Sequence, residues 1–374
     1  MTSVEPKRAP GGAALRPLER MGVAELEALR LLLRGGSVID WRRLEFTSLE
    51  EVGRFLALNQ FDLDDPRDVR RIRSILAQAV EYLRSEFGYR VAAPVAEPRD
   101  VRELFLLASG AAEPHRYRRI ACVVLKVMHV IHHLEARELL FRTPLREADL
   151  ADRVHRRIMA EAERMREHDL PIVEFRGNTK TRSSLVTKLL AKKESVAAQI
   201  FDRVRYRIVT ERPEQIPSVV WWLADHLFPF SYAVPGQSQN NLVRFADVVR
   251  SHPRGGEIAG AMQLPPDLER KDPAEHRNEF SGKGFRMLNF VVDLPVRVDD
   301  LLPPQDPVAD ELGRVVFSLV EFQVVDQATS LRNEEGDASH ERYKKRQLQR
   351  VLRRLSRGLV VPKKRTKPPR KGAP

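Results

Sequence analysis

The chain has 374 residues, 42 % hydrophobic and 31 % charged, which is apolar material enough for two globular domains of ordinary size. Its single cysteine, Cys122, excludes an intrachain disulfide, no apolar run approaches the roughly 18 residues that span a bilayer, and the N-terminus lacks the apolar segment of a secretory leader, so a cytoplasmic protein is expected. The formal charge is +12, but fourteen of the 64 Lys and Arg fall in the last thirty-three residues, which hold no Asp or Glu; the other 50 basic residues face 52 acidic ones, so the body is nearly neutral and the tail is a polycation.

Residues 1–20 form a Pro-, Gly- and Ala-rich arm expected to be disordered, and residues 21–170 read as a helical domain. Ser48-Leu49-Glu50-Glu51 is a capping-box pattern ahead of Phe55 and Leu58. Asp65-Pro66 suits the N-cap and first turn of a helix whose Ile72, Ile75, Leu76, Ala79 and Leu83 recur at helical spacing until Gly88. Further helices are predicted from about His115 to Leu140 and from about Glu147 to Glu167. On the first of these, His129 and His133 stand four apart and could share a metal; polar residues at a helix contact are the commoner use of such a pair.

The texture changes after Leu170. Strands are predicted at Pro171–Phe175, over the Val204, Tyr206, Ile208 and Val209 run, at Phe285–Leu294 and at Val315–Val325. Helices are predicted at Ser183–Ala191, after Pro213 with Trp221 and Trp222, and in the Arg- and Lys-rich stretch with Leu348, Val351, Leu352 and Leu355. The alternation defines an α+β fold, a helical N-terminal domain followed at residues 171–357 by a mixed-sheet domain with flanking helices. A long polar connection lies between Arg244 and Gly284, and residues 358–374 form a basic tail too poor in apolar side chains to order itself.

Two carboxylates stand out because they sit in apolar strand sequence. Asp202 begins DRVRYRIV and Glu321 lies within SLVEFQVV, and a carboxylate in such a run is costly unless it is paired or bound to a cation. Two on neighbouring strands could hold one Mg2+, with waters and phosphates completing its shell. Lys180, Arg182 and Lys188 lie just upstream and Arg207 on the Asp202 strand, a set of cations suited to phosphoryl transfer.

In chain order these pieces resemble the synthetase domain of RelA/SpoT-type alarmone synthetases. In that family a basic helix precedes an Asp-x-x-x-x-Arg strand, a Pro-Gly turn, a Gly-Tyr-x-x-x-His strand, a Glu-x-Gln strand and a His-x-x-Tyr-Lys helix. The matching residues are Asp202 with Arg207, Pro235 with Gly236, Gly284 with Phe285, Glu321 with Gln323, and His340 with Tyr343 and Lys344. The resemblance implies a nucleotidyltransferase fold and a Mg2+-dependent transfer of pyrophosphate from ATP to the ribose 3′-hydroxyl of GDP or GTP. Asp202 and Glu321 would be the catalytic, metal-binding pair. Lys180, Arg182 and Lys188 would bind the ATP phosphates, and Arg207, Phe285, Asn289 and Gln323 would line the nucleotide site. Glu321 would also stand where it helps remove the acceptor proton.

The departures fall on the acceptor side. Phe285 replaces the family's stacking Tyr, Asn289 replaces its His, and Val324, Val325 and Asp326 follow Gln323 where the family has an Arg. The helical half shows no His-Asp pair of the alarmone-hydrolase type. Two alternatives follow: the same chemistry on a tRNA 3′ end, with RNA held by residues 342–374, or a catalytically degenerate nucleotide- or RNA-binding module. The family resemblance also leaves room for an oligomer.

Overall fold

The computed structural model of the chain describes residues 18–34, 45–179, 182–191, 204–264, 284–335 and 340–356. Two compact units emerge. The larger comprises residues 1–179, 201–277 and 286–331; the smaller comprises residues 180–200, 278–285 and 332–374.

The larger unit begins with α1 (Val23–Arg34), α2 (Leu49–Leu58), α3 (Pro66–Phe87), α4 (Ala93–Ala96), α5 (Glu103–Ser109), α6 (Arg118–Arg142) and α7 (Glu147–Glu167). The caps follow the sequence signals. Ser48 Oγ accepts from the Glu51 amide, Asp65 accepts from the Arg67 amide with Pro66 in the first turn, and Gly88 closes α3 at φ 65°. A five-stranded sheet follows in the order β1-β2-β5-β4-β3, with strands β1 (Ile172–Thr179), β2 (Val204–Thr210), β3 (Gln239–Asn240), β4 (Leu288–Arg297) and β5 (Val315–Asp326). Strands β2 and β5 are parallel and the other neighbours are antiparallel, so the expected mixed sheet and α+β class are met. Helices α9 (Ile216–His226), α10 (Phe245–Ser251) and α11 (Gly255–Ala261) fall between β2 and β4, α12 (Pro307–Leu312) precedes β5, and α13 (Gln327–Glu334) follows it. Among the described residues, no helix is long and apolar enough to cross a membrane.

Two apolar cores divide the helices. One face of the sheet, with Tyr206, Ile208, Phe290, Val292, Phe322 and Val324, packs against α1, α7 and α9. Phe322 is fully buried, with its ring centroid 5.5 Å from Phe290 and 5.6 Å from Phe228, and each such ring is worth on the order of 1.5–3 kcal/mol of burial. Gly177 on β1 is required by this packing, since a Cβ there would approach the Tyr206 ring to 2.8 Å. Trp222 of α9 packs behind the sheet, and its indole N–H donates to Glu161 of α7 at 2.7 Å. The second core belongs to α2 through α6, and Cys122 is a half-buried member of its rim.

Part of the connection after Arg244 is not the polar loop the sequence suggests. Its first stretch forms α10 and α11, and Phe245, Val248, Val249 and Ile258 are buried in the sheet's core. Strand β4 begins at Leu288 rather than Phe285.

In the smaller unit, α8 (Arg182–Ala191) packs against α14 (His340–Leu355) around Ala191 and Val351, with Leu190 and Tyr343 beside them. Arg354 donates to the Leu190 carbonyl at 2.9 Å, satisfying an end group of α8. Leu348, Leu352 and Leu355 of α14 remain exposed.

Candidate functional site

Strand alternation and register decide which side chains share a face. The parallel register sets Arg205 beside Glu321 and Arg207 beside Gln323, and the antiparallel register sets Asn289 beside Gln323 and Val291 beside Glu321. The neighbouring residues Tyr206, Phe290 and Phe322 point to the apolar core, so Arg205, Arg207, Asn289, Glu321 and Gln323 lie together on the opposite face.

Glu321 sits at the centre of the sheet with its side chain 5 % exposed. Donors from three described residues compensate its burial. Asn289 Nδ2 donates to Oε1 at 2.7 Å, Gln323 Nε2 donates to the same oxygen at 2.8 Å, and Arg205 Nε approaches Oε2 at 3.4 Å. Such charge-assisted contacts are what allow an ionised carboxylate to stay inside a protein. Binding to Glu321 fixes the Asn289 amide orientation and leaves its Oδ1 buried without a hydrogen-bond partner among the described residues. Arg207 donates to Ser330 Oγ of α13 at 2.9 Å, which draws it along the same face.

Of the residues expected at the site, Glu321, Gln323, Asn289 and Arg207 are thus brought together. Asp202 and Lys180 lie outside the described residues. Arg182 opens α8 and Lys188 lies within it, both in the smaller unit, and Phe285 is a half-buried residue of that unit. Arg205 was missed: the sequence gives it no motif, and only the parallel pairing of β2 with β5 puts it against Glu321. The Pro235-Gly236 signal folds as a tight turn, with Gly236 at φ 71° and the Gln237 amide donating to the Val234 carbonyl at 3.2 Å. It delivers the chain to β3, where Gln239 pairs with Asn289.

The histidines of α6 have a different use. His132 and His133 pack on Phe317 of β5, with His133 stacked on it at 4.1 Å, while His129 and His133 flank Tyr232. Among the described residues, no group of three or more His, Cys, Asp and Glu could hold a metal ion, and these histidines pack on a strand and on Tyr232 rather than on another α-helix. Burial pulls His129 down to about 3, His133 to about 4 and His132 well below the usual imidazole range. Burial likewise pushes Asp293, 3.6 Å from His133, up to about 7.

No protein-family model matches the chain, and no curated protein matches it. Among solved structures it is similar to the small alarmone synthetase 1 from Bacillus subtilis, at 15 % identity over 54 % of this chain and 83 % of that one, with a TM-score of 0.29. It is also similar to a GTP pyrophosphokinase family protein from Streptococcus pneumoniae, at 14 % identity over 57 % of this chain and 90 % of that one, with a TM-score of 0.30. A third is the small alarmone synthetase 2 from Bacillus subtilis, at 17 % identity over 59 % and 95 % of the two chains, with a TM-score of 0.27. These names belong to the group that the sequence motifs resemble. A likeness of this degree leaves the chemistry to the residues themselves.

Proposed function

We propose that the chain is a Mg2+-dependent pyrophosphokinase that moves the terminal pyrophosphoryl group of ATP to the ribose 3′-hydroxyl of GDP or GTP. The observation that carries this reading is Glu321: a buried carboxylate on the central strand, on one face with Arg205, Arg207, Asn289 and Gln323. In the transfer, the acceptor oxygen forms a bond to the β-phosphorus, the bond from that phosphorus to the α-phosphate bridging oxygen breaks, AMP leaves and the hydroxyl proton is lost. Little of this needs covalent help from the protein, and the work is positioning and charge stabilisation.

The residues fit a magnesium site in kind, because Glu321 is an acceptor-only carboxylate and the sequence offers Asp202 as its partner. The two would hold the ion, which when bound offsets the charge on the ATP phosphates. Arg205 approaches Glu321 at 3.4 Å and would offer its guanidinium to a phosphate oxygen, and Arg207 extends the cationic face toward Ser330. The unpartnered Oδ1 of Asn289 supplies an acceptor for a hydroxyl or N–H of the acceptor nucleotide. Lys180, Arg182 and Lys188 would hold the ATP phosphates, and Phe285 would offer a ring for base stacking.

A second reading is a nucleotide-binding module without transfer. It is favoured by the fact that both oxygens of Glu321 are already engaged by Asn289, Gln323 and Arg205. One assay separates the two. Purified chain is incubated with Mg2+ and γ-labelled ATP in parallel with GDP, GTP or total tRNA, beside Glu321→Gln. Label in GDP or GTP that vanishes in the variant is the expected result, and label in tRNA alone moves the acceptor to RNA. No label from protein that still binds nucleotide establishes the binding module.

A further inference from the structure

A cavity of about 360 Å3 opens in the larger unit, lined by Gln60, Arg153, Arg156, Arg157, Val296 and Arg297. It lies away from Glu321. Val296 and Arg297 pair with Val316 and Val315, five residues along the strands from the Val291–Glu321 pair, which is roughly 16 Å at about 3.3 Å per residue.

Four guanidinium groups around one small cavity demand a charge inventory. Arg297 is neutralised, by Asp68, Asp299 and, at 3.5 Å, Asp65. Arg153 pairs with Asp300 and donates to the Arg297 carbonyl at 3.1 Å, while its Nε–H is buried without a partner among the described residues. Arg157 has no carboxylate at ion-pair distance among the described residues. It donates to the carbonyl groups of Pro295, of Leu227 at 2.6 Å and of Leu58 at 3.5 Å. Arg156 is exposed and makes neither hydrogen bond nor ion pair among the described residues.

Two of the four cations therefore have no carboxylate at ion-pair distance among the described residues: Arg157 is half-buried, with the charge of Glu161 acting on it from further away, and Arg156 is exposed. A partly desolvated cation without a direct counter-ion is costly, and the guanidinium fork matches phosphate oxygens two at a time. The strain registers on the groups themselves: burial pulls Arg157 down to about 10, and burial followed by the charge of Arg156 holds Arg153 below the usual guanidinium range. The volume falls at the small end of ligand pockets, which run from about 300 to 1,000 Å3.

We infer that this cavity is an anion-binding site, separate from the Glu321 face, that takes a phosphate-bearing small molecule: the phosphates of a nucleotide or free pyrophosphate. Arg157 reaches the end of α2, the end of α9 and β4 through its three carbonyls, so an anion beside it tightens the joint between the helical core and the sheet. The inference stands whether or not the chain transfers pyrophosphate.

The test is isothermal titration of the full chain at low ionic strength with sodium pyrophosphate and, in a second arm, with ATP. Wild type is compared with Arg156→Ala and Arg156→Glu, each first shown to be folded by circular dichroism. Pyrophosphate affinity about tenfold weaker in Arg156→Ala and abolished in Arg156→Glu is the expected result. The thermal midpoint gained from pyrophosphate shrinks in the same order. ATP affected in parallel identifies a nucleotide as the source of the phosphate, and ATP unaffected identifies the free anion. An absence of saturable pyrophosphate binding, or wild-type affinity in Arg156→Glu, overturns the proposal.

Discussion

One face of the sheet buries polar groups in two different ways. Around Glu321 the carboxylate is matched by donors: two side-chain amides and a guanidinium surround it. Further along the same face, under α6, the charge is given up. His129, His132 and His133 are held neutral among Phe317 and Tyr232, and Asp293 is pushed toward its protonated form. The first arrangement surrounds a carboxylate with hydrogen-bond donors inside the sheet. The second seals a helix onto a sheet at the cost of sensitivity to acid.

The largest effect should come from removing the charge in the first region. Glu321→Gln keeps a side-chain oxygen for Asn289 and Gln323 but loses the carboxylate. We expect transfer of label from ATP to fall by about 10^3-fold, in the range seen when a key electrostatic group is deleted. Stability should change by less than about 2 kcal/mol, because the retained contacts are hydrogen bonds of ordinary worth. Urea unfolding of the same preparation checks that the loss is chemical, and a variant that transfers as well as wild type would sink the proposed function.

The second region should respond to pH instead. Each histidine is depressed below its unfolded value near 6.5, so the unfolded state binds the proton first on acidification. That stabilisation is complete above pH 6.5 and is lost as pH falls toward about 4, at up to about 1.4 kcal/mol per pH unit for each histidine. Asp293 has the opposite sign. Its folded value is raised to about 7, so it favours folding at low pH and loses that contribution as pH rises from about 4 to 7. Arg71 beside His132 and Arg137 beside Asp293 reinforce and reduce these shifts respectively. The net slope should therefore approach about 3 kcal/mol per unit between pH 6.5 and 5. In His132→Phe, a ring of similar shape against Phe61 and Phe317, it should drop by about 1.4. Urea midpoints at pH 7.5, 6.5 and 5.5 measure it; a slope that His132→Phe leaves intact would show that these histidines are not what senses acid.

How much of this could be read in advance depends on whether the signal is local. The caps at Ser48, Asp65 and Gly88, the span of α7 and the apolar strands β2 and β5 follow from short-range pattern. The position of Glu321 was legible because a carboxylate in an apolar strand is anomalous. Its partners Arg205 and Asn289 were harder: each becomes a neighbour only through strand register, one parallel and one antiparallel. The division of helices was also hidden. Helices α1 and α7 join the sheet's core while α2 to α5 and most of α6 build their own, and amphipathic pattern says that a face is buried but not against what. Helices α10 and α11 are seven residues each, too short for periodicity to register, and they exist because Phe245 and Ile258 are buried by the rest of the fold.

The smallest effect sharpens the distinction most. If Glu321 is held as a charged group, its hydrogen bond from Asn289 is charge-assisted, and Asn289→Ala should cost about 1.5–3 kcal/mol. In the Glu321→Gln background the same truncation removes only a neutral bond and should cost about 1 kcal/mol. The double-mutant cycle should therefore return a coupling of about 1 kcal/mol between the two positions, above the scatter of about 0.5 found for independent sites. Gln323 and Arg205 remain in every corner of the cycle, so the difference isolates the Asn289 contact. Additive effects would mean that Glu321 is already neutral in the folded chain. The sheet face would then treat its carboxylate as it treats Asp293, and the group proposed to hold the cation would have no charge to offer.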